Sequence, residues 1–83
     1  GTLHGGIITT IMDISMGHLI KNEQSAGTTL ELKVNFMSAI KHEKIKCIGS
    51  FLKKGRTIST LDSRLFREDG KLAAYATSTW KIL

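Results

Sequence analysis

The apolar residues between Gly6 and Asn22 recur at helical spacing. At about 100° per residue they centre on one stripe, which predicts an amphipathic helix. Asp13 falls on the flank of that stripe, beside Thr9 and Gly17, so this acid is not predicted to join the core. The stripe consists of Ile8, Ile11, Met12, Met16 and Leu19, with Ile7 and Ile20 at its margins.

After a polar break the period changes to two, which is typical of β-strands. Strict alternation from Thr28 to Phe36 predicts a half-buried strand. Its apolar side would carry Thr28, Leu30, Leu32, Val34 and Phe36, and its polar side Thr29, Glu31, Lys33 and Asn35. Three more strands are predicted at Lys44–Leu52, Arg56–Phe66 and Leu72–Leu83, with turns at Lys53–Gly55 and Asp69–Gly70. A helix followed by hairpin-connected strands implies an α+β fold, in which an antiparallel sheet covers the helix.

The size and charge of the chain limit the kinds of domain and of binding partner that we expect. Its 83 residues, 41% hydrophobic and 23% charged, predict one small globular domain over residues 1–83. A thin core and two open sheet edges favour pairing with a second copy. The net charge is +5, but the basic residues are scattered along the chain, and the aromatic residues are only three Phe, one Trp and one Tyr. Nucleic-acid binding is therefore not expected, because it calls for a concentrated basic face with stacking aromatics.

Cysteine and histidine usage also excludes several classes of site. A single cysteine, Cys47, cannot form an internal disulfide, and three well-separated histidines give no metal-ligand spacing. We therefore expect no metal and a reducing, cytoplasmic setting. No apolar run approaches the roughly 18 residues of a membrane span, so no membrane partner is expected. The chain begins at Gly1 without Met, which suggests an N-terminally truncated domain.

Two features of the first segment carry candidate chemistry. Two glycines after His4 either provide mere flexibility or let a ligand approach the helix N-terminus, whose unpaired N–H groups favour negative charge. Asp13 is either a surface acid or a functional group. Along one helix Asp13 lies roughly 12–14 Å from the glycines, too far for one carbonyl to meet both. A two-fold dimer could bring Asp13 of one chain to Gly5 of the other.

Four segments in order carry a family resemblance: "GTLHGGIITTIMDISMG", "TTLELKVNFMSAI", "FLKKGRTIS" and "REDGKLAAYATSTWKI". Together they resemble the hotdog-fold acyl-CoA thioesterases of the PaaI-like, phenylacetate-degradation group, over essentially all 83 residues. The resemblance implies a long helix wrapped by an antiparallel sheet. It also implies subunits that pair side by side into a homodimer, and dimers that often associate into a homotetramer.

The resemblance implies hydrolysis of acyl-CoA thioesters to free acid and coenzyme A, which is part of the substrate, so no cofactor is expected. Asp13 matches the catalytic acid, as general base toward water or as nucleophile, and the Gly5 N–H would polarise the thioester carbonyl across the dimer interface. His4 matches a histidine beside the site, and Thr29 falls where relatives carry a Ser or Thr that orients water. Substrate contacts are expected at Gly6, Lys54, Gly55 and Arg56.

One departure from the family pattern keeps alternatives open. The relatives' Asn or Gln about six residues before the histidine would precede Gly1, and so would the family's usual first helix and strand, which we therefore do not expect within these 83 residues. A non-catalytic hotdog module that binds acyl-CoA or only oligomerises is therefore an alternative. A dehydratase or hydratase on the same fold is a second alternative, although its differently spaced His and acid are not evident here.

Overall fold

The computed structural model describes residues 4–23 and 25–83, and it contains a helix followed by four strands. The helix, α1, spans Gly5–Asn22, and the strands are β1 (Gly27–Phe36), β2 (Lys46–Lys53), β3 (Ile58–Phe66) and β4 (Leu72–Ile82). The predicted elements are confirmed, with ends displaced by only one or two residues. The first three residues of the "GTLHGG" motif lie outside the described residues.

The buried side of α1 agrees with the predicted apolar stripe. Ile8, Met12, Met16 and Ile20 are buried, and Ile11 and Leu19 pack partly buried against the same core. Ile20, predicted at the margin, joins the core, whereas Ile7 stays exposed. From the sheet, the core receives Leu61, Leu65, Ala73, Ala74, Ala76 and Trp80. Burial of these side chains holds α1 across one face of the sheet.

The four strands form one antiparallel sheet in the order β1-β4-β3-β2. The two predicted hairpins join β2 to β3 and β3 to β4. In the second turn Gly70 has φ of 87°, a left-handed conformation that favours glycine. β1 pairs with β4, distant in sequence, so β1 and β2 are the two edges of this sheet. Both edges leave backbone groups available for further strand pairing.

The strict alternation predicted for β1 is wrong at its start. The register against β4 shifts between Thr29 and Glu31, so that Leu30 is the extra residue of a β-bulge. Leu30 is 55% exposed, whereas Thr29 is half-buried and shares the inner face with Leu32. The bulge therefore turns Thr29, predicted on the polar side, toward α1.

A buried acid lies on the face of the sheet that points away from α1. Asp62 is 0% exposed and alternates along β3 with Leu61 and Ser63, which face the helix. Its carboxylate accepts hydrogen bonds from Ser50 Oγ and from Tyr75 Oη, the latter at 2.9 Å. Arg64 Nη1 lies 3.1 Å from Oδ2. Asp62 is thus fully paired, as a buried charge requires, and it ties β2, β3 and β4 together.

Candidate functional site

Asp13 and Thr29 meet between α1 and β1. Thr29 Oγ1 donates to Asp13 Oδ1 across 3.5 Å, a long hydrogen bond between partly buried side chains. Helical phasing keeps Asp13 outside the buried stripe, and the β1 bulge aims Thr29 at it. An acid and a hydroxyl at this separation can both contact the same water molecule or the same ligand atom. Both residues were predicted for the site, and the fold brings them together.

The start of α1 is capped by His4. The unprotonated Nδ1 of His4 accepts a hydrogen bond from the Gly6 N–H at 2.9 Å, and the His4 carbonyl accepts from Ile7 and Ile8. Gly5 occupies the first helical position, whose N–H has no partner within the helix, and none of the described residues bonds it. With no acid in the first turn, the helix N-terminus keeps its partial positive charge for an incoming anion.

Gly5 also lines an apolar groove. It has a volume of about 370 Å³ and lies between the first turn of α1 and the segment that follows β1. Its lining carries no charged side chain: Gly5, Ile8, Phe36, Met37, Ser38, Ala39 and Ile40. A Cβ atom at Gly5 would come within 3.4 Å of Phe36 Cζ, so the aromatic ring lies against the glycine. The groove suits an apolar part of a ligand.

The "KKGR" segment forms the turn between β2 and β3. Gly55 is required there, because a Cβ atom would lie 2.0 Å from the carbonyl oxygen of Ile58. Lys54 Nζ pairs with Glu23 Oε1 at 2.5 Å and lies 5.2 Å from the centre of the Phe51 ring. Arg56 is exposed. Together with Lys54 and Gly55 it lines a cavity of about 210 Å³ near the end of α1. The cationic side chains can meet a phosphate group here.

The predicted site residues therefore fall into three places along α1. His4, Gly5 and Gly6 lie at its start, Asp13 with Thr29 near its middle, and Lys54, Gly55 and Arg56 near its end. Asp13 lies eight positions after Gly5 in one continuous helix, which is about 12 Å of rise. One chain does not bring Asp13 to the Gly5 N–H.

Phe36 and the β1 bulge are parts of this region that sequence reasoning missed. Phe36 is 53% exposed and lies against Gly5, although alternation placed it on the apolar side of the strand. The only feature of the sequence that could have indicated this role for Phe36 is that a large aromatic residue ends the strand. Nothing in the "TTLEL" stretch distinguishes a bulge from regular pairing.

No histidine among the described residues is paired with an acid. There His4, His18 and His42 form no hydrogen bond or ion pair with an acid, and no three metal-binding side chains cluster. The His and acid arrangement of a dehydratase is thus not observed among residues 4–23 and 25–83. Within the same ranges no helix is long and apolar enough to cross a membrane.

The amino-acid sequence is similar to those of known thioesterases and esterases. The sequence model of the Thioesterase superfamily matches residues 1–74. Human acyl-coenzyme A thioesterase 13 is 35% identical over 83 residues, covering 95% of this chain and 59% of the human protein. A protein of Saccharolobus solfataricus, named provisionally as an esterase, is 38% identical over 85 residues. That match covers all of this chain and 61% of the archaeal protein.

Solved structures share the fold. A hypothetical thioesterase from Streptococcus pneumoniae, solved with coenzyme A, superposes with a TM-score of 0.95 at 26% identity, over 99% of this chain and 67% of that one. The PaaI protein of E. coli superposes with a TM-score of 0.94 at 12% identity, over 99% of this chain and 60% of that one. The hotdog fold, with one helix against an antiparallel sheet, is therefore confirmed.

Proposed function

The chain belongs to the thioesterase superfamily, and we propose that it hydrolyses acyl-coenzyme A thioesters to the free acid and coenzyme A. The observation that carries the proposal is the half-buried acid Asp13, off the apolar core and hydrogen-bonded to Thr29. Two solved structures support this substrate class. The pneumococcal structure contains coenzyme A, and a Streptococcus mutans protein, 25% identical to this chain with a TM-score of 0.96, was solved with acetyl-CoA bound.

In the proposed reaction, Asp13 acts on water or directly on the thioester carbonyl. As a base, its carboxylate removes a proton while the water oxygen bonds to the carbonyl carbon, and Thr29 orients that water. As a nucleophile, it forms an acyl-enzyme anhydride that water then hydrolyses. In both routes the carbonyl oxygen becomes negative before the C–S bond breaks and the thiolate leaves. The chemistry requires neither a metal nor a cofactor.

The Gly5 N–H would stabilise that oxyanion. Donors fixed before the reaction act strongly on developing charge, and removing one typically costs about 2.7–4 kcal/mol of activation free energy. His4 contributes first by capping the helix, which occupies the Gly6 N–H and leaves Gly5 facing the groove. We propose that His4 also lies beside the leaving thiolate. Gly6 then shapes the backbone next to the substrate without donating to it.

A homodimer would join the two halves of the site. Asp13 contacts Thr29 near the start of β1, whereas Gly5 contacts Phe36 at its end. If two β1 edges pair antiparallel about a two-fold axis, the start of one strand lies opposite the end of the other. Asp13 would then approach Gly5 of the second copy. Exposed Leu30, Phe36 and Met37 at this edge favour such pairing.

The groove beside Gly5 and the cavity beside the "KKGR" turn would hold the two ends of the substrate. The apolar groove beside Gly5 would take the acyl group, since no charge lines it. The "KKGR" turn would take the coenzyme A phosphates, with a phosphate competing against Glu23 for Lys54. Exposed Ile7 and Ile14 on the outer side of α1 offer a further apolar surface, through which dimers would associate into a homotetramer.

We further propose a cytoplasmic setting without nucleic-acid or membrane partners.

The test is thiol release from a panel of acyl-CoA esters by the purified protein. Asp13→Asn should lower kcat/KM at least about 100-fold, because the amide neither accepts the proton nor attacks the carbonyl. Glu68→Gln is the matched control, since it removes one carboxylate from the exposed β3–β4 turn. Circular dichroism and size-exclusion chromatography with light scattering would verify folding and assembly.

The alternatives predict different outcomes. A non-catalytic module would bind a non-hydrolysable acyl-CoA analogue without releasing thiol, and Asp13→Asn would leave that affinity unchanged. A hydratase would convert an enoyl-CoA or hydroxyacyl-CoA without thiol release. Equal hydrolysis rates in the wild type and Asp13→Asn would overturn the role of Asp13.

A further inference from the structure

The indole of Trp80 fills a slot made by two glycines. Its Cη2 atom lies 3.3 Å from the position of a Cβ atom at Gly17, and its Cε3 atom 3.3 Å from that at Gly27. At separations this short, a methyl group at either position would force the indole or the backbone to shift by a few tenths of an ångström. The ring is thus wedged between α1 and the first residue of β1, with only 8% of the residue exposed.

The same two elements carry the Asp13–Thr29 pair beside the ring. Asp13 lies four residues before Gly17, one turn earlier on the same flank of α1. Thr29 lies two residues after Gly27, on the same face of β1, and is the direct cross-strand partner of Trp80. The indole therefore sets the separation between helix and strand next to the acid and the hydroxyl.

Hydrogen bonds hold the ring in this orientation. Trp80 Nε1 donates to Ser78 Oγ at 2.8 Å, and Ser78 Oγ donates to the buried Met16 Sδ at 2.9 Å. Met16 and Gly17 are neighbours in the helix, so the chain of contacts leads from the ring back to α1. A buried indole with its N–H satisfied and neighbours on both α1 and β1 has few alternative rotamers.

We propose that Trp80 is a positioning residue for thioester hydrolysis, acting through the distance between Asp13 and Thr29. The inference rests on the proposed function, because only a reaction at this pair makes the distance matter for turnover. A displacement of about 1 Å in a catalytic geometry can cost 100-fold in rate. The role differs from ordinary core packing, since it predicts an effect on kcat that depends on Thr29.

A double-mutant cycle tests this dependence. Trp80→Phe should lower kcat about 10-fold or more with little change in KM, because the smaller ring lets α1 and β1 shift. In a Thr29→Ala background the same change should lower kcat less than about 3-fold, since the positioned hydroxyl is already gone. Should Trp80→Phe fail to fold, Gly17→Ala perturbs the slot from the helix side and enters the same cycle.

The control separates positioning from loss of stability. Leu65→Val trims the core at the other end of β3, where Leu65 pairs with Cys47 and Ala74 rather than with Trp80. It should leave kcat within about 2-fold while lowering the unfolding midpoint in urea. An equal loss of kcat in Leu65→Val, or effects of Trp80→Phe and Thr29→Ala that multiply fully, would overturn the proposal.

A crystal structure of Trp80→Phe gives a readout independent of turnover. The distance from Asp13 Oδ1 to Thr29 Oγ1, 3.5 Å in the wild type, should change by about 1 Å, because the smaller ring no longer holds α1 and β1 at their present separation. An unchanged distance would overturn the positioning role. If the wild type releases no thiol at all, the proposed function fails, and this distance alone still decides whether Trp80 sets the geometry.

Discussion

Thr29 Oγ1 lies 3.5 Å from Asp13 Oδ1 because a β-bulge at Leu30 turns Thr29 toward the helix. Without the extra residue, the alternation of β1 would place Thr29 on the opposite face of the sheet. The bulge therefore decides whether the acid has a hydroxyl partner. It also leaves Leu30 exposed at the edge strand that we propose for dimer pairing.

Replacing the Thr29 hydroxyl should slow hydrolysis without unfolding the protein. Thr29→Val keeps the shape of the side chain but cannot orient water, so kcat should fall about 10–100-fold with KM nearly unchanged. Thr29→Ser keeps the hydroxyl and should retain most activity. Steady-state thiol release at saturating acyl-CoA measures the difference. Equal rates for the valine and serine variants would remove Thr29 from the mechanism.

The cap at His4 should contribute to stability separately from any contact with the substrate. His4→Ala leaves the Gly6 N–H without its acceptor and should lower the free energy of unfolding by about 0.5–2 kcal/mol. His4→Asn restores a side-chain acceptor and should recover most of that loss. Urea unfolding at neutral pH measures both values. Normal turnover in His4→Asn would mean that His4 acts as a cap alone, which would contradict a role at the leaving thiolate.

Gly55→Ala should distort the turn proposed to bind coenzyme A. A methyl group would overlap the Ile58 carbonyl oxygen, so the backbone must move, at a cost of about 1–3 kcal/mol in stability. KM for acyl-CoA should rise more than kcat falls. Gly70→Ala is the matched control, because its cost comes from the positive φ in a turn outside the proposed site. An equal rise of KM in both variants would refute the assignment of the turn.

Tyr75 should ionise at higher pH than a free tyrosine. Its hydroxyl donates to the Asp62 carboxylate, and this hydrogen bond, with burial and the nearby negative charge, raises the pKa of Tyr75 above its ordinary 10.0. The resulting stabilisation is fully present below pH 10 and is lost as the pH rises through the folded-state pKa. Tyr75 is the one tyrosine in the sequence, so tyrosinate absorbance follows it directly.

Asp62→Asn tests the cause of that pKa shift. The amide carries no charge, so Tyr75 should titrate closer to its ordinary value. Glu68→Gln, which removes an exposed charge, should leave the titration unchanged. An identical titration curve in Asp62→Asn and the wild type would mean that the carboxylate does not perturb the tyrosine.

The local sequence pattern is sufficient to predict the helix, the strands and the position of one site residue, Asp13. The 3.6 period predicts α1 and the flank position of Asp13, and Asp69-Gly70 predicts the hairpin between β3 and β4, because these features depend on neighbours close in sequence. The family resemblance pointed to Thr29 and the "KKGR" turn. Alternation alone placed Thr29 on the side facing away from the core, which the structure corrects.

The sequence by itself determined which segments form helix and strands, since the burial of one face imposes a period that residues a few positions apart can satisfy. Tertiary structure decided that β1 pairs with β4, that a bulge brings Thr29 to Asp13, and that Trp80 lies between Gly17 and Gly27. Those outcomes depend on contacts between residues far apart in the chain. Register and packing select them among arrangements that the local periods permit equally.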